Sequence, residues 1–331
     1  MALAVITGAS GLVGGNLAAA LLDAGHRVRA TRRASTRVDH LADLAIEWAD
    51  ADLGEPERLA GAFEGADVVF HCAAQVATRR GVTPALTAAN VTGTAHVLAA
   101  VRAARVPRLV HTSTVGAVGL STDGKPCTEE ADWNFAEAGL VDGYAITKRQ
   151  SEELVHAAAG EGLDAVIVNP TYMFGPLDNR PSSGRLIVDV VRRRVPGWTL
   201  GLNNFVDVRD VARGMIAAWQ RGQRGERYIL GGHNMTYRDI METIARVAGV
   251  RPPRFGVPRA LARVMGAAGD LSERLRRSEP LINSITVSYA FTTRFQFASD
   301  KAARALDYRF GPIEDAIRDA ITWFRGRGML S

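Results

Sequence analysis

Tyr144 and Lys148 stand four residues apart in the run YAITK, a spacing that puts both side chains on one face of a helix. The chain has 6 Tyr and three Lys, at positions 125, 148 and 301, so random placement would give only about 0.05 such pairs. A phenol with a pKa of about 10 is a poor acid–base group at neutral pH. An ammonium beside it favours the phenolate and is expected to bring that value towards the working range. Upstream, HTSTVGAVG closes an apolar run and supplies the hydroxyls of Ser113 and Thr114. A tyrosine, a lysine and a hydroxyl meeting at one point suit proton transfer at a carbonyl or alcohol oxygen.

A second constellation lies near the start of the chain. In VITGASGLVGG, Gly8, Gly11 and Gly14 follow a short apolar run and precede an Ala/Leu-rich segment. Gly weakens regular structure by roughly 0.5–1 kcal/mol relative to Ala, so three at this spacing call for a reason. The first permits a tight turn, the second lets the backbone approach a pyrophosphate, and the third lets helix and strand pack closely. Free N–H groups at the helix start, with the helix dipole, hold the anion. The spacing therefore predicts a dinucleotide site. A site selective for NAD carries an acid at the end of the second strand. Here that strand ends VRATRRASTR, with no acid before Asp39, and Arg32, Arg33 and Arg37 stand there instead. Guanidinium groups suit a 2′-phosphate, which predicts NADP(H). Asp52, in ADADL, ends the next strand, where its carboxylate can accept from an adenine amine.

The elements around these residues alternate. LAVITG, RVRATRR, IEWADADL, DVVFHCAA, RLVHTST and DAVIVNP read as strands, separated by helical stretches of ten to seventeen residues. That rhythm predicts an α/β fold, a doubly wound parallel-sheet Rossmann domain. After Pro170 the texture changes. TYMFGPLDNRPSSGR reads as a loop, LIVDVVRRRV as a helix, and FVDVRDVARGMIAAWQRG with ERYILGG as strand–helix–strand rejoining the first domain. The expected division is residues 1–170 plus about 205–231 for the dinucleotide domain, and about 171–204 plus 232–331 for a smaller, discontinuous substrate lobe. Arg259–Leu271 is moderately amphipathic. Packing on the lobe is the expectation, with contact to a membrane surface or a substrate cleft as alternatives.

Composition narrows the function. The formal charge is +5, but it is almost all arginine, scattered and interleaved with acids, which argues against nucleic-acid binding. Cys72 and Cys127 make neither a metal-ligand pattern nor a disulfide framework, so a reducing cytoplasm and no metal are expected. No apolar run reaches the ~18 residues needed to span a bilayer.

Taken together, the glycine triplet, DVVFHCAA, NVTGT, the hydroxyl pair, Tyr-x-x-x-Lys and NPTYMFGP resemble the extended short-chain dehydrogenase/reductases over essentially the whole chain. This is the superfamily of NAD-dependent epimerases and dehydratases. Within it the chain is similar to the dihydroflavonol-4-reductase-like branch. It also resembles bacterial proteins called hopanoid-associated sugar epimerases, which share textures such as GRLIVDVVRRRVP and ERYILGGHNMTYRDI.

The resemblance implies that Tyr144 gives its proton to a carbonyl and that Lys148 binds the nicotinamide ribose and tunes Tyr144. Thr114, where relatives usually carry Ser, would bond the substrate oxygen, and Asn90 is the structural asparagine. It places Ser10, Leu12 and Val13 with the three glycines around the pyrophosphate. Leu53, Ala73, Ala74 and Thr112 would line the cofactor, and Asn169, Pro170, Thr171 and Met173 would surround the nicotinamide. Tyr172, Phe174 and Phe205 are candidate substrate contacts, suiting a hydrophobic carbonyl or alcohol compound, whereas His71 and Cys72 read as packing residues. Three functions follow: an NADPH-dependent reductase of a ketone or aldehyde, a nucleotide-sugar epimerase or dehydratase using retained NAD, and a non-catalytic dinucleotide sensor. The chain would act as a monomer or homodimer. Sugar-nucleotide epimerases of this superfamily often read Arg-Asp-Tyr/Phe-Val-His-Val where this chain reads Asn203-Asn204-Phe205-Val206-Asp207-Val208, so the phosphate-gripping arginine is replaced. Arg209 and Arg213 are the nearby cations that could compensate, and the reductase is the expected function.

Overall fold

The computed structural model describes residues 1–77, 81–276 and 282–330. The first half is the expected alternation: β1 (Leu3–Thr7), α1 (Leu12–Asp23), β2 (Arg27–Arg32), β3 (Ile46–Asp50), α2 (Pro56–Phe63), β4 (Val68–His71), the single turn α3 (Pro84–Leu86), α4 (Gly93–Ala103), β5 (Leu109–Thr112), α5 (Gly143–Gly160) and β6 (Ala165–Pro170). The second half follows with β7 (Tyr172–Phe174), α6 (Arg185–Val191), β8 (Leu202–Asp207), α7 (Val208–Arg221), β9 (Arg227–Leu230), β10 (His233–Thr236), α8 (Tyr237–Ala248), α9 (Arg259–Arg276), α10 (Ser284–Phe291), α11 (Asp300–Leu306) and α12 (Ile313–Gly326).

Seven strands form one parallel sheet in the order β3-β2-β1-β4-β5-β6-β9. Its central strands β1, β4, β5 and β6 are buried and largely apolar because helices cover both faces, whereas β2 and the edge strand β3 carry exposed charges. Alternation along each strand sorts the two cores. Ala4, Ile6, Val68 and Phe70 face α1 and α7, whereas Val5 and Val69 face α2, α4 and α5. β1 pairs with both β2 and β4, so the winding reverses beside β1, and a crevice opens at the carboxyl ends of the strands there.

Two readings of the second half change. β8 pairs with β7 and β10 in a separate three-stranded sheet rather than rejoining the large one; only α7 and β9 return to it. The segment read as a loop contains β7, a strand of 3 residues, too short for periodicity to reveal. A third core, built on Phe174, Phe205, Ile240, Ile244, Ile317 and Phe324, fills the space between this small sheet and α6, α8 and α12. Ala302, Leu306 and Tyr308 pack into the core of the large sheet, so α11 lies on the dinucleotide side although it falls within the span read as lobe.

Candidate active site

Each glycine of the first loop has its own structural reason. Gly8 adopts φ +78°, and a Cβ on it would sit 2.6 Å from the Ala73 nitrogen. A Cβ on Gly14 would stand 2.4 Å from the Gly8 oxygen, so only glycine lets α1 pack against the turn. Gly11 differs. It precedes α1 in ordinary backbone (φ −90°), is exposed, and a Cβ there would meet only the Gly8 oxygen, at 3.4 Å. Among the described residues, its chain neighbours aside, nothing else comes within 4 Å of that Cβ. Ser10, Leu12 and Val13 flank this opening, partly exposed, and the first turn of α1 holds no acid. Unpaired first-turn N–H groups and the positive end of the helix dipole make a cradle that fits a pyrophosphate.

The arginines divide. Arg32 lies over the Trp48 ring at 5.5 Å and bonds Asp50 at 3.0 Å, so it is tied to β3. Arg33 is exposed, 3.8 Å from Asp52, and Arg37 is exposed, 3.5 Å from Asp39. Asp52 accepts from the Gly54 nitrogen at 2.8 Å, and His96 Nδ1 lies 2.7 Å from the Leu53 carbonyl oxygen. Ala73 touches the glycine turn and Ala74 is exposed beyond it. The end of the crevice beside β2 and β3 therefore presents two exposed guanidinium groups, each loosely paired with an exposed carboxylate, within one loop cluster.

Asp142 starts α5: its Oδ1 accepts from the Ala145 nitrogen at 2.6 Å. Tyr144 occupies the first turn of that helix and its hydroxyl bonds the side chain of Thr114. Thr114 is itself fixed, because its carbonyl accepts from Asn169 Nδ2 at 3.0 Å and its hydroxyl from the Gly116 nitrogen at 3.3 Å. Lys148 is one turn further along, buried, and donates to the Thr112 carbonyl at 2.7 Å. The Thr112 hydroxyl in turn donates to Cys72 at 3.4 Å, linking this group to β4 beside the glycine turn. Ser113 is buried, which leaves Thr114 as the hydroxyl beside the phenol.

The electrostatics correct one expectation. Burial and the neighbouring Asp142 carboxylate push Tyr144 up to about 12, opposed by its bond to Thr114, whereas the sequence suggested that Lys148 would bring it down. The lysine ammonium is turned to Thr112 instead. Burial lowers Lys148 to about 8, with Glu152 and Cys72 resisting the fall. At neutral pH both groups keep their protons.

Supporting residues surround this pair. Asn90 accepts from the Gln75 nitrogen at 2.8 Å and donates to Gln75 O and to Thr147, tying the segment after β4 to α5. Buried Glu152, one turn beyond Lys148, accepts from Asn169 at 2.8 Å and pairs with Arg227 at 3.2 Å. Tyr289 of α10 donates to Asp142 Oδ2 at 2.8 Å. Sequence reading missed these last contributions, although Asp-Gly-Tyr at a helix start is an N-cap signature that marks Asp142. His71 is enclosed, bonded to Thr7 and Thr94, with burial and Lys148 lowering it to about 3; burial raises Cys72 to about 11. Both are neutral packing residues.

On the substrate side the aromatic set separates. Phe174 and Phe205 are fully buried and stack at 5.6 Å inside the third core, so neither faces the crevice; their ring faces are consumed by each other. Tyr172 stays partly exposed, as does Met173, beside Pro170 and Thr171 at the end of β6. Thr171 keeps a buried hydroxyl without a partner among the described residues. Asn203 donates to the Tyr237 hydroxyl at 3.3 Å. Asp207 does not face the crevice as a bare carboxylate: it caps α7 and pairs with Arg209, which also holds Asp319 at 2.6 Å. Arg213 is paired with Asp210.

The description "NAD dependent epimerase/dehydratase family" fits residues 4–231. Sterol demethylase protein B of Methylococcus capsulatus is 35% identical over 98% of this chain and 99% of its own. The 4-hydroxy-2-methyl-3-oxo-4-farnesyl-3,4-dihydroquinoline-1-oxide ketoreductase of Stigmatella aurantiaca is 30% identical over 92% and 90%. A bifunctional dihydroflavonol 4-reductase/flavanone 4-reductase of Pyrus communis is 26% identical over 76% and 77%. Among solved structures, that of gox2253 is similar at a TM-score of 0.84 and 33% identity over 100% of both chains. PA4631, a nucleoside-diphosphate-sugar epimerase from Pseudomonas aeruginosa, is similar at a TM-score of 0.82 and 27% identity over 100% of this chain and 99% of that one. Family and relatives alike point to NAD(P)-dependent oxidoreductase chemistry. With its glycine cradle, Tyr144–Lys148 pair and seven-stranded sheet, the chain belongs to the NAD dependent epimerase/dehydratase family, the extended short-chain dehydrogenase/reductases, on their dihydroflavonol-reductase-like branch.

Proposed function

We propose that this chain is an NADPH-dependent reductase of a ketone or aldehyde, with Tyr144 as the proton donor. One observation carries the choice of reductase over sugar-nucleotide epimerase. The stretch that would grip a diphosphate offers Asn203, while its nearest cations, Arg209 and Arg213, are ion-paired with Asp207, Asp319 and Asp210. A diphosphate bound there would forgo charge-assisted bonds of about 1.5–3 kcal/mol each, or break pairs already made. The likeness to an epimerase structure at 27% identity favours the second reading, an epimerase or dehydratase with retained NAD.

The residues divide the work as follows. When bound, the dinucleotide supplies the hydride that adds to the carbonyl carbon. Tyr144, which keeps its proton at neutral pH, passes that proton to the carbonyl oxygen as hydride addition makes the oxygen basic, and is reprotonated from solvent. Thr114 orients the phenol and offers a second hydrogen bond to the substrate oxygen. Lys148 holds positive charge beside the ribose site, its ammonium anchored on the Thr112 carbonyl. Arg33 and Arg37 take the 2′-phosphate, with Asp52 at the adenine.

The test pairs two measurements. Across a panel of aromatic and terpenoid ketones, wild type should oxidise NADPH, and Tyr144→Phe should lose about 10²-fold or more in turnover while still binding nucleotide. Calorimetry with UDP-glucose and dTDP-glucose on NADPH-saturated protein should show no binding. Micromolar affinity for either would overturn the reductase in favour of the epimerase.

A further inference from the structure

Helix α9 is inverted relative to an ordinary surface helix, which hides its apolar stripe and shows its polar one. Its inner face is made of small residues. Ala262 is buried, Gly266 would bring a Cβ to 3.1 Å from Val287, and Gly269 lies against the Ile282 backbone. Asp270 accepts from the Ser284 nitrogen at 3.0 Å on the same side. The outer face carries Leu261 (53% exposed), Val264 (68%), Met265 (41%) and Leu271 (57%), spaced to fall on one stripe. Phe255, four residues before the helix, is 56% exposed.

From residue 251 to residue 269 the charge beside this stripe is of one sign, and Asp270, the next residue, is turned in to Ser284. Arg251, Arg254, Arg259 and Arg263 are exposed, and no acid occurs from residue 251 to residue 269. None of the four makes an ion pair among the described residues, whereas most other arginines of the chain do. A symmetric dimer through this face would set the patch against itself and place four guanidinium groups opposite four more. An anionic surface meets both features at once: apolar side chains enter the headgroup boundary while the arginines lie against phosphates.

We propose that the outer face of α9 docks on a membrane surface containing anionic lipid, with Leu261, Val264, Met265 and Leu271 inserting and Arg251, Arg254, Arg259 and Arg263 giving the charge attraction. No helix of the described residues is long and apolar enough to cross a membrane, so the contact is peripheral. The docked surface adjoins the site. α9 packs on α10, and α10 carries Tyr289, whose hydroxyl holds the Asp142 cap of the catalytic helix. The inference stands apart from the reductase assignment and concerns only the helix surface.

Flotation of the purified chain with vesicles tests it. Wild type should float with an equal mixture of phosphatidylcholine and phosphatidylglycerol, but not with phosphatidylcholine alone, and high salt should release it. Val264→Asp with Leu271→Asp should reduce the bound fraction at least about tenfold. Arg259→Glu with Arg263→Glu should do the same with the apolar stripe intact. Thermal melting and nucleotide titration confirm that each variant is folded; if the aspartate pair proves unstable, the arginine pair decides. Failure of wild type to float with the mixed vesicles overturns the proposal. So does equal flotation of the folded variants, or a wild-type dimer that Val264→Asp makes monomeric while neither binds lipid.

Discussion

Gly11 and Gly14 are three residues apart in one loop, yet replacing each with alanine should have opposite consequences. At Gly14 the new methyl would lie 2.4 Å from the Gly8 oxygen and 2.8 Å from the Ala9 Cα, about 1 Å inside ordinary contact. Both neighbours are backbone, so no rotamer relieves the overlap and α1 must withdraw from the sheet. Overpacking of this kind costs about 1–3 kcal/mol, and Gly14→Ala should melt at lower temperature. At Gly11 the methyl meets one atom at 3.4 Å, in a backbone conformation that alanine adopts freely. Restricting the unfolded chain there contributes about 0.4–1 kcal/mol, so Gly11→Ala should melt at the wild-type temperature or slightly above. Its methyl, however, occupies the approach to the α1 N-terminus. A dinucleotide held off by one charge-assisted N–H bond loses about 1.5–3 kcal/mol, or roughly ten- to a hundredfold in Kd. Thermal melts and titration of NADPH fluorescence separate the two effects. Wild-type affinity in Gly11→Ala would refute the cradle, and a wild-type melt in Gly14→Ala would refute the packing argument.

Arg33→Ala should weaken NADPH about tenfold, a change of only about 1.4 kcal/mol, and leave NADH unaltered; equal affinities of wild type for the two nucleotides would remove the basis for NADP selectivity. Arg32→Ala should matter less, because that side chain is spent on Trp48 and Asp50. Lys148 carries its charge below a pKa of about 8 and loses it above, so kcat/KM should fall as pH rises through that value. Glu152→Gln removes a carboxylate that sustains the ammonium and should move this limb to lower pH; a limb that stays put would assign it to another group. Asp178 is buried, and burial raises it to about 6 from its ordinary 3.8. The protonated carboxyl is favoured in the fold, so its contribution is complete below the lower value and lost as pH rises through the upper one. Relative to wild type, Asp178→Asn should therefore gain up to about 3 kcal/mol between about pH 4 and about pH 8, on top of a pH-independent loss because a single amide oxygen replaces the two that accept from Ser182 and Gly184, which urea titrations at the two pH values will check.

What the sequence revealed was local. Gly8, Gly11 and Gly14 declare a strand–turn–helix because their spacing sits between one apolar run and one helical segment, although the Ala73 backbone that confines Gly8 lies far along the chain, and Tyr144 with Lys148 needs only helical spacing. The six strands of the first half are legible because four are near-continuous apolar runs and two, RVRATR and IEWAD, alternate apolar with charged residues. What escaped notice depends on partners distant along the chain. Nothing near Arg209 signals Asp319, nor anything near Asp142 signals Tyr289. Phe174 and Phe205 read as substrate contacts because aromatic residues near a ligand and in a core look alike until their partners are known. The phenol pKa was misjudged for a related reason: spacing placed Lys148 on the right face, but the carbonyl of Thr112 decides where its ammonium points.

The chain's path between its two layers constrains how such a protein can be altered. It leaves the large sheet after β6, re-enters through the Asp207 cap of α7, leaves again after β9, returns for α11 and departs a last time for α12. The two layers are woven rather than joined at a hinge. A chimera that exchanged one whole layer for that of a relative would need a seam at every crossing. Each seam would have to preserve contacts such as Asn204 with Gly232 or Tyr308 with Gly231. Exchange of a whole layer must therefore keep every crossing intact, whereas a single-residue change in the crevice wall leaves the crossings untouched.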